Sequence, residues 1–298
     1  MKSRYLPLFL LLALGIIWGS GYSIARYCVT HGVPPLGYSF WQSIGPAIFL
    51  LLCVIVRRHR MPFNPQYLRY YILCGVLGIA IPNTLMYYCA AHLPSGLIAV
   101  MVNTVPIWIY PLALLFAQEK WSTKRLCAVM LGVIGILWIV IEGSQWSSIG
   151  SVPWMLLLLL VPLSFALCAL FIAAFRPVPA ESMSLSAGML IVSALCVTPW
   201  TFHLKDFYGF AWPLQLNDWL ILLEIALSSV GYVILFALLK RAGPVFYSLV
   251  GGVVSLTGLF WGWLVFHETL TLGNLCSIIL ILLALLLMQP SKQALKEL

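Results

Sequence analysis

Charge is what this sequence lacks. Eight acids and sixteen lysines and arginines make up 8% of the 298 residues, against roughly 25% in an ordinary soluble domain. With 62% of the chain hydrophobic, so few charges cannot clothe a water-facing surface, which excludes a soluble globule. Catalytic and metal-binding patterns are missing as well. The eight cysteines (Cys28, Cys53, Cys74, Cys89, Cys127, Cys168, Cys196 and Cys276) are scattered through apolar segments, with no C-x-x-C pair and no histidine spacing suited to a metal. They read as small packing residues. Neither a phosphate loop nor a G-x-S-x-G turn occurs, so we expect no cofactor, no metal, no nucleotide hydrolysis and no enzymatic activity. The net charge of +8 does not point to nucleic acid, because the basic residues lie between apolar runs instead of forming a patch.

Those runs are what the sequence has in abundance. Stretches of 18 or more apolar residues recur along the chain, each able to cross a hydrocarbon layer of roughly 30 Å as a helix. Lipid offers the backbone no hydrogen-bonding partner, so helices are expected. Proline, glycine and charge punctuate ten spans, near 6 to 28, 38 to 56, 68 to 89, 94 to 117, 123 to 141, 153 to 174, 182 to 203, 218 to 239, 244 to 266 and 272 to 289. The first follows Lys2 and Arg4 as a signal peptide would, but it continues through Trp18, Gly19 and Tyr22 without a small-residue cleavage site. It reads as an uncleaved span.

Lysine and arginine concentrate on cytoplasmic loops. With the N terminus inside, one side holds Lys2, Arg4, Arg57, Arg58, Arg60, Arg69, Lys120, Lys124, Arg125, Arg176, Lys240, Arg241, Lys292 and Lys296, and the other only Arg26 and Lys205. The expectation is a multi-pass protein with both termini cytoplasmic.

A shift of 149 residues lays 94 to 141 over 243 to 290, matching Glu119 to Glu268, Leu115 to Leu264, Leu126 to Leu275, Cys127 to Cys276 and Leu131 to Leu280. The expected fold is therefore an all-α integral membrane protein of ten transmembrane helices in two inverted five-helix repeats, 1–149 and 150–298. Five passes per half is an odd number, so the second half lies upside down. Inverted repeats are common in secondary transporters, whose halves rock around a midplane site. One chain holds both halves, so a monomer or a weak dimer is expected, with lipid around it.

Several motifs resemble a known family. Leu14 through Tyr22 (LGIIWGSGY), Gly32-Val33-Pro34-Pro35-Leu36, Ala91 through Ala99, the Pro106 span, Glu119 and Gly132-Val133-Ile134-Gly135 resemble the first repeat of the drug/metabolite transporter superfamily, EamA type. Gly243-Pro244, Glu268 and the final span resemble the second repeat. Gln42 stands where many relatives have arginine, and Phe165-Ala166-Leu167-Cys168 where they often show a Trp-Ala-Leu-Tyr-like run. The resemblance implies a ten-helix carrier of the bacterial inner membrane, commonly an exporter of amino acids or other small metabolites.

Ionisable groups inside a span are costly and suggest function. Glu224 is the one acid clearly within a span, and a spacing of four puts Ser228 and Tyr232 on its face of the helix. We read Glu224 as the group that binds a substrate amine or a coupling proton; the alternative is a structural acid paired with Arg26 or His92. Asn83 and Tyr87 lie one turn apart beside Pro82, and Asn103 precedes Pro106. Proline frees backbone groups that often border a cavity; interhelical hydrogen bonding by the asparagines is the competing reading. Trp18, Tyr22 and Trp261 lie within spans, where they line a cavity or pack, and Trp121, Trp146, Trp154, Trp212 and Trp219 fall at span ends as interfacial residues. The candidate substrate-binding set is Trp18, Tyr22, Asn83, Tyr87, Asn103, Glu224, Ser228, Tyr232 and Trp261. Gly15-x-x-x-Gly19, Gly251-x-x-x-Ser255 and Gly258-x-x-x-Gly262 read as close helix contacts, and Glu119 and Glu268 as caps of the helices that follow them.

The expected function is secondary transport that exports a small metabolite, an amino acid or related amine, by alternating access. The alternatives are import, or exchange of a sugar phosphate or nucleotide sugar by the same fold. Such anions need several cationic contacts, and Arg26 is the only basic residue within a span that does not sit at the span's cytoplasmic end. A lipid-modifying enzyme requires an acid-base cluster at one interface, which the scattered His31, His92, His203 and His267 do not form.

Overall fold

Proline and asparagine start and break these helices. The computed structural model describes residues 6–117, 119, 121–146, 151–177, 181–247, 250–268 and 271–287. Lys2, Arg4, Lys120, Lys292, Lys296, the side chains of Lys240 and Trp146, and the expected repeat boundary at 149/150 lie outside the described residues. All regular structure among the described residues is helical. Helix α1 (Leu6–Thr30) leads through Gly32, at φ +97°, into α2 (Pro35–Val56), which has proline at its first position. Asn64 caps α3 (Pro65–Gly75) by accepting the Tyr67 N–H at 3.1 Å.

Proline then reshapes the third pass. Between α3 and α4 (Ile81–Ala90) lies one π-helical turn, Val76–Ala80. In that turn the Leu77 carbonyl would accept from the residue five ahead, which is Pro82 and has no N–H. Ser164 supplies the missing donor from a neighbouring pass, its Oγ 2.7 Å from the Leu77 oxygen. The fourth pass breaks for the same reason. Helix α5 (Ser95–Val102) ends and α6 (Val105–Leu115) begins with Pro106 in its first turn. Asn103 Nδ2 donates to the Ala99 carbonyl at 2.7 Å and Thr104 Oγ1 to that of Met101 at 2.6 Å, serving backbone oxygens near the break.

The remaining passes are α7 (Thr123–Trp146), α8 (Ser151–Leu158) with α9 (Leu160–Phe175), α10 (Ser182–His203), α11 (Leu216–Tyr247), α12 (Val250–Phe266) and α13 (Leu272–Leu287). Counting each interrupted helix as one pass gives ten among the described residues. Helix α11 runs to Tyr247, beyond the expected end at 239, so the ninth helix begins at Val250 instead of at Gly243-Pro244.

The packing repeats with a shift of five passes. Helix α1 lies against α11 and α12; its counterpart, α8–α9, lies against the third pass and α6. The pairs α2·α10, α5·α12 and α7·α13 each join a helix to its own counterpart. Local geometry repeats too. Helix α2 ends with His59 N–H on the Val54 carbonyl (3.0 Å) and Arg58 at φ 54°; its counterpart α10 ends with Asp206 N–H on the Thr201 carbonyl (2.9 Å) and Lys205 at φ 59°. Glu119 N–H reaches the Ala113 carbonyl and Glu268 N–H the Gly262 carbonyl, both at 3.3 Å.

The outside of the bundle is apolar: Ile134, Leu137 and Ile141 on α7, and Ile279, Leu283 and Leu286 on α13, are exposed. This is the reverse of a water-soluble surface and suits lipid. Alternate turns gather Arg57, Arg58, Arg60, Arg69, Lys124, Arg125, Arg176 and Arg241 at one end of the bundle, called here the basic end; Arg26 and Lys205 belong to the far end. Inside, small residues let helices touch. Gly15 and Gly19 face Val253, Val254 and Thr257 of α12, while Gly258 faces Ala99 of α5 and Ser255 Oγ donates to the Ala99 carbonyl at 3.4 Å.

Candidate functional site

Glu224 is 7% exposed, two turns into α11. Its Oε1 accepts the Ser228 hydroxyl at 3.1 Å, and its Oε2 has no hydrogen-bond partner among the described residues. Across the interface α1 presents Gly21, where an added Cβ would lie 2.6 Å from Oε1. The missing side chain is thus what lets the carboxyl extend toward α1.

Neither basic partner considered for Glu224 is available to it. Arg26 Nη1 sits 2.6 Å from Glu268 Oε1 and its guanidinium lies 4.8 Å from the centre of the Phe266 ring. His92 stacks on Trp154 at 3.9 Å. Glu268 therefore does not cap its own following helix. It accepts Ser95 N–H (2.8 Å), Ser95 Oγ (3.0 Å) and Gly96 N–H (3.1 Å), capping α5 from the opposite repeat, and Thr271 Oγ1 accepts the Asn274 N–H at 3.2 Å instead. Glu119 likewise pairs with the Arg125 side chain, at 2.9 Å.

Aromatic rings and hydroxyls surround Glu224. Trp18 and Tyr232 meet edge to face with centroids 6.3 Å apart, and the Trp18 indole nitrogen lies against Gly231. The Tyr22 phenol lies beside the Asn103 side chain, which also faces Gly251. Tyr87 and Tyr38 pack edge to face at 4.7 Å, and both lie within electrostatic range of the Glu224 carboxyl. Of the expected set, then, Trp18, Tyr22, Tyr87, Asn103, Glu224, Ser228 and Tyr232 are gathered where α1, α4, α5 and α11 meet. No hydrogen bond or ring contact among the described residues ties Asn83 or Trp261 to this cluster. Asn83 is half-buried one turn before Tyr87 with no side-chain hydrogen bond to a described residue, and the Trp261 ring packs on Phe260 at 5.6 Å.

Two neighbours escaped the sequence reading as site residues. Tyr38 is fully buried with its hydroxyl unpartnered, and Gln42, one turn on, is 6% exposed with its Nε2 unpartnered. Gly45 on the same stripe of α2 rests on Ile225 of α11, so the stripe faces the helix that carries Glu224. A glutamine four residues after a tyrosine in an otherwise apolar span was the available signal.

Three buried polar atoms without partners (Tyr38 OH, Gln42 Nε2 and Glu224 Oε2) lie on the packed helices α2 and α11, near the aromatic residues Trp18, Tyr87 and Tyr232. Buried polar groups are nearly always satisfied, so such a cluster is chemically able to receive a ligand that supplies both donors and acceptors. The carboxyl and ring faces suit a cationic group. The counterpart of Glu224 under the 149-residue shift is Gly75, packed against Met189 and Val192, so the polar cluster belongs to one side of the pseudosymmetric bundle.

An all-helical bundle, ten passes among the described residues, built as two inverted halves with the Glu224 carboxyl buried among its helices, defines the class: a multi-pass membrane protein of inverted-repeat design. The profile of the EamA-like transporter family matches residues 6–141 and again 152–289, and the chain belongs to that family. It is a membrane transporter. It is 24% identical to the uncharacterized transporter YoaV of Bacillus subtilis over 278 residues, 91% of this chain and 92% of YoaV. It is 34% identical to the uncharacterized inner membrane transporter YedA of Escherichia coli over 164 residues, about half of each chain (51% and 52%). A solved crystal structure of a protein 14% identical in sequence superposes with a TM-score of 0.63 over 97% of both chains, a likeness of fold alone.

Proposed function

We propose that this transporter exports a small metabolite carrying an amino group, an amino acid or a related amine, across the bacterial inner membrane by alternating access, with both termini in the cytoplasm. The observation that carries this reading is the Glu224 carboxyl, buried with one oxygen unpartnered and no cation paired to it among the described residues. A lone carboxylate inside a bundle is costly unless it is paired or neutralised. A substrate ammonium and a proton are the two occupants that satisfy it, and each excludes the other, which is the logic of proton antiport. Trp18, Tyr87 and Tyr232 add ring faces for a cation, and Gln42 and Tyr38 offer hydrogen bonds to a carboxylate or hydroxyl on the same solute. The basic residues at one end of the bundle support the orientation. An anionic substrate fits less well, because the guanidinium of Arg26 is committed to Glu268.

The test is uptake of a labelled amino-acid and amine panel into inside-out vesicles containing the protein, with and without a proton gradient. Gradient-dependent accumulation of an amine-bearing class is the expected result. Accumulation of sugar phosphates with no amine transported would overturn the proposal.

A further inference from the structure

Away from the Glu224 cluster, the basic end carries a cleft of about 370 Å³ between the turn that ends α2 and the start of α10, lined by Arg58, His59, Arg60, Tyr67, Glu181 and Ser184 among others. One wall is a helix N-terminus. Glu181 occupies the cap position of α10 without a side-chain hydrogen bond to the helix, so it leaves first-turn N–H groups free of a side-chain cap. Ser184, in that first turn, is 1% exposed, and its Oγ is buried without a partner where it lines the cleft. Arg176 approaches the same turn, its Nη2 2.8 Å from Ser182 Oγ.

The facing wall is cationic by construction. The α2 end is closed by paired backbone bonds, Arg58 N–H to the Ile55 carbonyl and His59 N–H to that of Val54. This closure places Arg58 at φ 54°, a conformation that glycine adopts most readily. The turn delivers Arg58, His59 and Arg60 together to the cleft. The one acid there, Glu181, makes no ion pair among the described residues, and the two arginines outnumber it. A free helix N-terminus, an unpartnered buried hydroxyl and two guanidinium groups are the donor set of a phosphate site. The chain is apolar on both sides of the turn: Val56 is 80% and Phe63 75% exposed, which suits a position at the lipid surface.

We propose that this cleft binds the phosphate of an anionic phospholipid headgroup, with Ser184 Oγ, the first turn of α10, Arg58 and Arg60 as donors. The bound lipid joins the α2 end in the first repeat to the start of α10 in the second.

The test uses the purified full-length protein in neutral detergent, with thermal unfolding followed as phosphatidylglycerol, phosphatidylcholine or inorganic phosphate is added. Two variants report on the site: Ser184→Ala removes an oxygen that has no partner, and Arg58→Gly relieves a left-handed backbone. Both are expected to unfold no lower than the parent without lipid, so lost binding will not be confused with lost folding. Phosphatidylglycerol should raise the unfolding temperature of the parent and phosphatidylcholine should not. Each variant should need roughly tenfold more phosphatidylglycerol for the same shift, the loss of one charge-assisted hydrogen bond. An equal response of parent and both variants would overturn the site. A Ser184-dependent shift produced as readily by inorganic phosphate would overturn the lipid as the source of the phosphate.

Discussion

Arg26 Nη1 lies 2.6 Å from Glu268 Oε1, and this pair fastens the connection between α12 and α13 to α1. Because Glu268 also accepts from Ser95 and Gly96, one carboxylate holds three passes together at the far end. Removing one member of a largely buried pair leaves the other uncompensated, at a cost of about 3 kcal/mol. We expect Glu268→Gln and Arg26→Gln each to lower thermal stability, and the double variant to lose less than the sum of the two. A coupling of about 1 to 3 kcal/mol is the predicted result of that cycle; strict additivity would show that the two side chains do not act as a pair.

Two glycines two residues apart on α1, Gly19 and Gly21, face different helices and should respond differently to alanine. At Gly21 the added Cβ meets the tip of Glu224 (2.6 Å), which can swing aside. Gly21→Ala is expected to keep its stability and to raise the KM for the transported amine by roughly tenfold, the cost of a displaced charged contact. At Gly19 the Cβ meets Thr257 Cβ at 2.5 Å and the Val254 carbonyl at 2.8 Å, so backbone must move. Gly19→Ala should cost about 1 to 3 kcal/mol in detergent unfolding. Equal thermal shifts for the two variants would contradict this distinction.

If ring faces hold a cation, Trp18→Leu should weaken substrate binding by about 3- to 30-fold, whereas Trp18→Phe should retain much of it, following the usual worth of a partly desolvated cation–π contact. Competition in a counterflow assay measures both. Equal losses for Leu and Phe would assign Trp18 to packing.

Outside the spans, Tyr208 donates to Asp218 Oδ1 at 2.8 Å, while Asp218 Oδ2 accepts the Gln215 N–H that starts α11. Burial first, and the neighbouring carboxylate second, push the phenol up to about 12. Its value when unfolded is about 10, so the folded state holds the proton more tightly. This contribution to stability is complete below about pH 10 and is lost as the pH rises toward the folded value. Tyr208→Phe should therefore flatten the alkaline limb of the stability profile; an unchanged limb would contradict the assignment.

The passes were legible because lipid makes a strong demand of sequence, a long apolar run for each helix, and proline, glycine and charge mark where the runs stop. The π turn was not, since its cause combines Pro82 with a serine 87 residues from the Leu77 carbonyl it serves. Ser164→Ala should test that account by costing about 1 kcal/mol in unfolding. The Arg26–Glu268 pair, separated by 242 residues, was equally hidden, which is why local capping was expected for Glu268. Around Glu224, residues on the same helix were read from the four-residue spacing. Tyr38 and Gln42 were not assigned to the site, because only the packing of α2 on α11 brings their stripe to the acid.

In the proposed transport cycle Glu224 takes the substrate amine or a proton in turn. The most direct test compares the parent with Glu224→Gln in proteoliposomes, using a labelled substrate from the vesicle panel and following accumulation driven by an imposed pH gradient. Gradient-driven accumulation by the parent and none by the variant, at equal amounts of folded protein, is the expected result. Accumulation by Glu224→Gln at the parental rate and with the parental pH dependence would contradict this role of Glu224.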